Sequence, residues 1–381
     1  MKNIDIDCCN LYGRRTGVGR YLSNVLSQWA SQGKTGVNLY FKDQLSGDSF
    51  CHYSGFNCYV VKNRFINKNQ IWTNIFLYFN LLRSNSDIYF TPNYTFPIFP
   101  LRKRKVVTIF DISYISNPGW YPLDQRLALR YNTSNTVRTA DRIITGSFAT
   151  KNEILKYYNV NPEKIQVVHL GVDPALTSDL DTPRHDAKLK LKSKYKLKSK
   201  VVLFVGLLMN RRNIDVTISA VGMLNKKHKD TVSLVIIGKD HSYPKTDFRN
   251  IINQSSMASS TLMLDYVSDA DLRDFYRGSD CFVCASTCEG FNITPLEAMQ
   301  LGVPVVSSKC SSLPEVVGAA AEFIDEPTDA ESQARSIERV LFNEVYAVEL
   351  ELKGYLQAKI FSWERCADET YSAIGLGKTF S

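Results

Sequence analysis

Residues 281–308 read CFVCASTCEGFNITPLEAMQLGVPVVSS, and this stretch decides the fold. The runs CFVCA and VPVVSS are short and apolar, which is typical of buried parallel strands. A helix is predicted from Pro295 to Gly302 between them, because proline suits a first helical turn, where its missing N–H would be unpaired in any case. The stretch therefore predicts a strand, a turn through Gly290, a helix and a second strand parallel to the first.

The same alternation of strand-like and helical runs extends outward in both directions. With 381 residues, the chain is long enough for two hydrophobic cores. One series of runs fills residues 1–172, and a second fills residues 201–360. The polar interval 173–200, which contains KLKLKSKYKLKSK and shows no apolar face, is predicted to be the linker. These patterns predict an α/β protein of two Rossmann-like domains whose parallel sheets face one another across a cleft.

Composition limits the classes of protein to consider. Apolar residues make up 44% and charged residues 22%, which is typical of globular domains, and no apolar run is long enough to span a bilayer. The start of the chain lacks the apolar core of a secretory signal. Nine cysteines, an odd number, do not form a disulfide framework. We therefore expect a protein of the reducing cytoplasm.

Charge is divided unevenly between the halves. Residues 1–200 contain 29 Lys and Arg against 14 Asp and Glu, whereas residues 201–381 contain 17 against 24. A basic half favours an anionic partner, which leaves lipid head groups, a diphosphate-linked acceptor or nucleic acid. Nucleic acid is the weakest of these, because no recognised binding module is present.

The turn after CFVCA predicts an anion site. Free N–H groups around Asn292 to Thr294, at the positive end of the following helix, suit a diphosphate. Glu289 and Glu297 would lie on either side of that anion, where carboxylates accept hydrogen bonds from sugar hydroxyls. Two glutamates eight residues apart mean little as bare spacing, but this strand, turn and helix give the spacing a structural context.

Two further elements point to the same kind of ligand. Gly206 to Asn213 reads GLLMNRRN at a strand end before a helix, and Arg211 or Arg212 would reach a phosphate there. Near the start of the chain, Gly17 and Gly19 follow the first strand, and glycine lets the backbone approach a ligand closely.

Together these motifs resemble glycosyltransferase family 4, and especially its bacterial O-antigen mannosyltransferases. The resemblance rests on TGVGRYL, FVGLLMNRRNI, LDYVSDADLRDFY, EGFNITPLEAMQLGVPVV, SSLPEVVG and FSWERCADETY, and it spans nearly the whole chain. It implies the GT-B fold, an acceptor-binding N-terminal domain, a donor-binding C-terminal domain, and a helix within 361–381 that crosses back to the N-terminal domain.

The resemblance also implies roles for residues of this sequence. Glu297 would bind the nucleotide ribose, Glu289 the donor sugar hydroxyls and Arg212 the diphosphate, and Val267 would lie in the loop that contacts the base. Glu289, Arg212 and Asp111 would act at the reacting centre. The full predicted donor site comprises Gly17, Gly19, Gly206, Arg211, Arg212, Val267, Glu289, Phe291, Asn292, Ile293, Thr294 and Glu297.

Two positions depart from the family pattern. Phe110 stands where many relatives have a histidine that contacts the donor sugar, so a histidine-dependent step is not assumed. Leu207 stands where some relatives have another phosphate-binding arginine. These departures bear on rate and donor identity and not on the fold.

No metal is expected. Cys281, Cys284 and Cys288 form a cluster, but residues three apart on a strand point to opposite faces. Of the three Asp-x-Asp matches, Asp5/Asp7 lies in a strand, Asp179/Asp181 in the linker, and Asp269/Asp271 at a helix start, where Asp269 belongs to a cap.

Residues 71–82 and 95–105 place aromatic side chains beside a basic run, RKRK. This pattern suits the interface of an anionic membrane. A core helix followed by a surface turn explains it equally well.

The expected function is retaining transfer of a hexose to a lipid-diphosphate-linked glycan in O-antigen biosynthesis, on the cytoplasmic face of the inner membrane. By resemblance the donor is GDP-mannose and the lipid is undecaprenyl diphosphate, with no further cofactor. UDP-sugars are the second candidates for the donor. A non-transferring nucleotide-sugar binder and an epimerase that acts on the nucleotide sugar remain as alternatives.

Overall fold

The computed structural model of the protein describes residues 3–12, 17–62, 71–172 and 183–376. Asp179 and Asp181, which form one of the Asp-x-Asp matches, lie outside these ranges.

The chain divides into two compact units, each built on a parallel sheet. The first unit takes in residues 1–116, 123–171 and 362–381, and the second takes in 117–122 and 172–361. The predicted fold class, an α/β protein of two Rossmann-like domains, is confirmed.

The first sheet contains, over the described residues, seven strands in the order β3-β2-β1-β4-β5-β6-β7. Neighbouring strands run parallel, and Ile4 of the first strand pairs with Val37 on one side and with Ile88 on the other. The strand-like runs of the sequence are confirmed as strands. The strands are β1 Ile4–Asp7, β2 Val37–Lys42, β3 Phe56–Val61, β4 Ile88–Thr91, β5 Arg104–Thr108, β6 Arg142–Thr145 and β7 Ile165–Val167.

Five helices of the first unit lie between residues 17 and 157 of the described chain. A π-helical turn, Trp72–Leu77, leads directly into the second of them. The helices are α1 Gly17–Ser31, α2 Tyr78–Arg83, α3 Ser113–Ser116, α4 Leu123–Thr139 and α5 Phe148–Tyr157.

Within the part of the chain that the structure describes, the second sheet has six strands in the order β10-β9-β8-β11-β12-β13, again all parallel. Renumbered from its own first strand, this is the order 3-2-1-4-5-6, which also describes the first six strands of the other sheet. The strand order reverses between β1 and β4 in one sheet and between β8 and β11 in the other. The strands are β8 Lys200–Val205, β9 Val232–Ile237, β10 Thr261–Leu264, β11 Cys281–Cys284, β12 Val305–Ser308 and β13 Ala321–Ile324.

In the described chain, residues of four helices share one core with the second sheet, and the second unit has eight helices in all. They are α6 Arg184–Tyr195, α7 Ile214–Lys227, α8 Phe248–Gln254, α9 Asp269–Gly278, α10 Thr294–Gln300, α11 Leu313–Val317, α12 Ala330–Leu341 and α13 Glu344–Ala358. Within the described ranges, every helix of the protein is too short or too polar to span a bilayer.

The last helix, α14 (Trp363–Ile374), belongs to the first unit, as the sequence predicts. Ser362 caps it by accepting a hydrogen bond from the backbone N–H of Arg365. Trp29 of α1 donates its indole N–H to the carbonyl of Ala367 at 2.9 Å, so the two helices are bonded as well as packed.

The interval 173–200 is not a linker over its described part. It forms α6, whose Ala187 and Leu191 are buried within the second unit. Leu191 packs so closely on Gly278 of α9 that a Cβ there would lie 2.4 Å from its side chain.

Ion pairs explain why the buried face of α6 cannot be recognised from its lysine-rich sequence. Lys188 and Lys192 lie 3.0 and 3.2 Å from the carboxylate of Asp280, and Lys194 lies 3.2 Å from Asp271. Burial raises the pKa of Asp280, but the two lysines and the backbone N–H of Val201 outweigh it, so the pKa lies below its ordinary value.

Because α6 belongs to the second unit, the two units differ less in net charge than residues 1–200 and 201–381 do. By their own residue ranges, the first unit has 23 Lys and Arg against 13 Asp and Glu, and the second has 23 against 25. The first unit is therefore still basic, though less so than residues 1–200.

The basic run 102–105 is only partly on the surface. The Nζ of Lys103 lies 3.2 Å from Asp5, whose side chain is fully buried in β1, and it donates to the carbonyls of Ser84 and Ser86. The predicted surface turn therefore contributes one cation to the interior of the first unit, and β5 begins at Arg104.

We predict that Asp280→Asn lowers the free energy of unfolding by about 2 kcal/mol, because two lysines lose their shared carboxylate. The folded pKa of Asp280 is below the unfolded one, so this stabilisation is complete above about pH 4 and is lost as the pH falls through the folded value. Urea denaturation of both proteins at several pH values measures the difference.

Asp274→Asn is the matched control, because Asp274 of α9 faces Lys190 of α6 at 3.9 Å in an exposed pair. This substitution should lower the free energy of unfolding by at most about 0.5 kcal/mol. Equal costs for the two variants would contradict the assigned role of Asp280.

Candidate functional site

The point at which the strand order reverses in the second sheet lies between β8 and β11. Cys281 pairs with Val202 and Phe282 with Leu203, so the carboxyl ends of the two strands are neighbours. In open parallel sheets, ligands bind outside the carboxyl ends of the strands at such a point. The loops that leave these ends, residues 206–213 and 285–293, are the two segments that the sequence predicts to bind an anion.

The first loop turns sharply at Gly206, whose φ of +140° suits only glycine. A Cβ on Gly206 would lie 1.8 Å from Nη1 of Arg212, so the absent side chain makes room for that guanidinium. A 3₁₀ turn, Asn210–Arg212, follows, and Asn213 in a left-handed conformation starts α7.

Hydrogen bonds join the two loops. The side-chain amide of Asn213 donates to the carbonyl of Ala285 at 2.7 Å. The backbone N–H and the hydroxyl of Thr287 both donate to the carbonyl of Arg211, at 2.8 and 3.1 Å. The loops thus hold each other in place before any ligand arrives.

Glu289 lies at the centre of this structure and is only 4% exposed. Its carboxylate lies 2.9 Å from Nε of Arg212 and 3.5 Å from Nη2 of Arg211. It accepts hydrogen bonds from the hydroxyl of Ser286 at 2.9 Å and from the amide of Asn292 at 3.4 Å.

The pKa of Glu289 follows from these neighbours. Burial raises the pKa, but Arg212, Arg211 and the Ser286 hydroxyl together outweigh burial, so the pKa lies below its ordinary value. The carboxylate is therefore ionised at neutral pH. Nearby, burial and the charge of Glu289 raise the pKa of the Cys284 thiol to about 12, which keeps that thiol protonated.

Asn292 shapes the turn that enters α10. It is left-handed, with φ of +71°, and its side-chain oxygen accepts from the backbone N–H and the hydroxyl of Thr294, at 3.3 and 2.8 Å. The amide of Thr294 is therefore not free, which corrects the prediction for that residue. Over the described chain, the backbone N–H groups of Asn292 and Ile293 have no protein acceptor.

Glu297 lies in the first turn of α10, as predicted, and it is buried. The hydroxyl of Tyr276, at the end of α9, donates to its Oε2 at 2.8 Å. Tyr276 thus fixes the orientation of the carboxylate.

The other predicted residues lie further from these contacts. Phe291 packs edge-on against Phe361 with ring centroids 5.7 Å apart, and Val267 lies in the loop between β10 and α9. At the start of α9, the cap is Ser268 and not Asp269, because the Ser268 hydroxyl accepts from the backbone N–H of Asp271.

Gly17, Gly19 and Asp111 belong to the first unit. Gly17 starts α1 and a Cβ would meet nothing within 4 Å, so packing within the protein does not require glycine there. Asp111 accepts hydrogen bonds from the backbone N–H and hydroxyl of Ser113 at the start of α3. Phe110 lies edge-on to Tyr21 with centroids 5.2 Å apart.

The order of the first sheet reverses at a second polar cluster. Asn93 donates to Oδ2 of Asp7 at 3.2 Å and to the thiol of Cys9 at 3.0 Å, and Asn10 donates to Asn93. Burial raises the pKa of Asp7, although the hydrogen bonds that it accepts lower it.

Three residues of these sites escaped the sequence analysis: Ser286, Asn213 and Asn93. Ser286 and Asn93 are small polar residues just beyond the carboxyl end of a strand, and that position was the available signal, whereas Asn213 starts α7. In the described part of the chain, no three His, Cys, Asp or Glu side chains are arranged to hold a metal, and all nine cysteines are free thiols.

Family models match both halves of the chain. The model described as "Glycosyltransferase Family 4" matches residues 16–176, and the model described as "Glycosyl transferases group 1" matches residues 186–356.

Two of the relatives match over most of their length. O-antigen chain mannosyltransferase B of Escherichia coli is 31% identical over 298 residues, which cover 77% of this chain and 76% of the relative. O-antigen chain mannosyltransferase RfbU of Salmonella typhimurium is 28% identical over 63% of this chain and 62% of its own.

Solved structures show the same fold. WaaG, a glycosyltransferase involved in lipopolysaccharide biosynthesis, superposes with a TM-score of 0.77 at 18% identity, over 98% of this chain and 100% of its own. Anabaena HepE, solved in complex with UDP-glucose, superposes with a TM-score of 0.74 at 17% identity, over 98% of this chain and 100% of its own. Fold and family models together define a glycosyltransferase of the GT-B class. The chain belongs to glycosyltransferase family 4, and it is related to the O-antigen mannosyltransferases.

We predict that Asn292→Gly is more stable than Asn292→Ala by about 1 kcal/mol, because only glycine adopts the left-handed turn without strain. Both variants lose the same side-chain hydrogen bonds, so each is the control for the other. Urea denaturation measures the difference. A more stable alanine variant would show that this turn does not need the left-handed conformation.

Proposed function

We propose that the protein transfers mannose from GDP-mannose to a lipid-diphosphate-linked glycan, with retention at the anomeric carbon. The observation that carries this proposal is the buried pairing of Arg212 and Arg211 with Glu289 at the switch point of the second sheet. The names of the relatives support mannose as the sugar.

Arg212 supplies the main contact to the donor diphosphate. Its Nε faces Glu289, and among the described residues its two Nη groups have no hydrogen-bond acceptor. A guanidinium held by one carboxylate, with further N–H groups directed elsewhere, is suited to a bidentate contact with phosphate oxygens. The backbone N–H groups of Asn292 and Ile293 add donors from the facing loop. Arginine and amide groups thus stabilise the diphosphate without a metal.

The two glutamates hold the rest of the donor. Glu289 is kept ionised by its arginines and accepts hydrogen bonds from hydroxyls of the sugar. Glu297, oriented by Tyr276, accepts hydrogen bonds from the ribose hydroxyls. Gly206, Phe291 and Val267 line the nucleotide, and of these the Val267 loop is the one that contacts the base.

In the reaction, the bond between the anomeric carbon and the diphosphate oxygen breaks as the acceptor oxygen bonds to the same face of the sugar. The proton of the acceptor hydroxyl passes to the departing diphosphate, which acts as the base. Arg212 stabilises the charge that develops on that leaving group. No side chain forms a covalent intermediate, and no histidine is required at the position of Phe110. The roles of Asp111, Gly17 and Gly19, which belong to the first unit, stay predictions.

Exposed apolar and basic groups of the first unit suit a lipid-linked acceptor at a membrane surface. The helix over 71–83 buries Trp72 and Leu81 but exposes Phe79. Phe99 is also exposed, and Arg102 is exposed in the basic run that follows. The core explanation offered by the sequence applies to the buried face of this helix, and we propose that the exposed face meets lipid. The polar cluster around Asn93 is the site proposed for the glycan hydroxyls.

We predict that Arg212→Ala lowers kcat/KM for mannosyl transfer by at least about 100-fold, because the leaving diphosphate loses its main cation. Radiolabelled GDP-mannose and lipid-linked acceptor measure transfer. Arg249→Ala, an exposed arginine of α8, is the control and should retain full rate.

The same assay distinguishes the alternatives. If UDP-sugars gave product and GDP-mannose gave none, the donor would be a UDP-sugar. Donor binding without turnover indicates a binding protein, and an altered free nucleotide sugar indicates an epimerase. Full transfer by Arg212→Ala would show that the diphosphate is bound elsewhere.

We predict that Phe79→Ser combined with Phe99→Ser lowers the partition coefficient onto phosphatidylglycerol vesicles by roughly tenfold, since two rings no longer enter the interface. Cosedimentation measures binding, and added salt should weaken it further. Leu189→Ser, an exposed leucine of α6, is the control and should bind like the parent. Unchanged binding by the double variant would place the membrane contact on another surface.

A further inference from the structure

Helix α13 has two apolar faces, and only one of them is covered. Leu350, Gly354 and Ala358 are buried within the second unit. A Cβ on Gly354 would lie 3.0 Å from the side chain of Met299, so glycine allows α13 to approach α10 closely.

The opposite face is apolar and exposed to solvent. Val345 is 82% exposed, Val348 53%, Leu352 66% and Leu356 66%, and Ile360 follows at 53%. Steps of three and four residues place these side chains in one line along the helix. We call these five residues the α13 stripe. Single exposed apolar residues are ordinary, but a continuous line of them marks an interaction surface.

Charged residues border the stripe in a regular order. On one flank, Glu349 and Lys353 form an ion pair at 2.5 Å, and both side chains are about half exposed. On the other flank lie Glu344 and Lys359, both exposed, with the Lys359 Nζ 4.3 Å from the centre of the Tyr355 ring. On each flank the acid is nearer the start of the helix and the lysine nearer its end.

We propose that the α13 stripe is a self-association surface, on which a second copy of this chain packs its own α13 in the antiparallel direction. A two-fold axis at Leu352 places that leucine against its own copy and Val348 against Leu356 of the second copy. Such a contact is isologous and closes as a dimer.

The flanking charges select this arrangement. Around an axis at Leu352, Glu349 faces Lys353 of the second copy, and Glu344 faces Lys359 of the second copy. A parallel pair would instead place Glu349 nearer to Glu344 of the second copy than to either of its lysines. An anionic bilayer is disfavoured as the occupant, because Glu344 and Glu349 would have to approach its surface.

The size of the α13 stripe determines how tightly the two copies are expected to bind. A helix of 15 residues is about 22 Å long. The contact between two such helices buries an area at the lower end of the range for specific protein–protein interfaces. The dimer should therefore dissociate on dilution.

Sedimentation velocity of the full chain over a range of concentrations tests the proposal. The parent protein should shift from monomer to dimer as concentration rises, and Leu352→Glu should raise the dissociation constant by at least tenfold. Glu349→Lys alone should weaken the dimer, whereas Glu349→Lys with Lys353→Glu should restore it, because the exchanged charges are again complementary. Melting temperature and donor binding should not change in these variants, which separates this test from the proposed function.

Cysteine cross-linking tests the position of the axis. Leu352→Cys should form a disulfide-linked dimer under mild oxidation, because the residue meets its own copy. Leu356→Cys alone should not cross-link, but mixed with Val348→Cys it should, and the parent protein gives the background of its nine native cysteines.

Three outcomes would overturn the proposal. One is a protein that stays monomeric at every concentration. Another is a dimer that Leu352→Glu leaves intact, and the third is binding to anionic vesicles that Leu352→Glu abolishes, which would make a membrane the occupant.

Discussion

The pairing of one buried carboxylate with two arginines is the constraint on which the rest of the second unit depends. Glu289 is almost completely inaccessible, so its charge is tolerated only because Arg212 and Arg211 face it. That requirement fixes the surrounding backbone. Gly206 must lack a side chain to leave space for the guanidinium, and Thr287 must hold the carbonyl of Arg211. The same interaction that stabilises the two loops also presents cationic groups at the carboxyl ends of the strands.

The repeated strand order explains why such a site occurs where it does. Each sheet has one place at which the order reverses, and each of those places has a polar cluster just beyond the strands. In the second unit the cluster is cationic with a central carboxylate. In the first it is a buried carboxylate, Asp7, bonded to the amide of Asn93. Two domains with the same topology thus carry two chemically different polar clusters.

Much of this architecture can be predicted from the sequence, because buried parallel strands appear as short apolar runs and the loops after them carry the glycines, arginines and glutamates. The pairing of Arg212 with Glu289 could not be predicted, since it depends on β8 lying beside β11, and strand order is not visible in local pattern. Helix α6 was missed for another reason. Its buried face has only Ala187 and Leu191, and lysines that pair with Asp280 and Asp271 surround them, so it lacks the apolar periodicity by which helices are recognised. Thr294 was assigned a free amide because nothing in its spacing shows that the side chain of Asn292 bonds to it.

The folding of α6 onto the second unit also determines where the chain can be divided. The lysine-rich stretch looks like the natural place to separate the two domains, yet a cut after it would remove the cations that neutralise Asp280. Asp280 directly precedes β11, the strand that leads to Glu289. A second domain prepared on its own therefore has to begin before Arg184, so that the strand carrying the site keeps its electrostatic anchor.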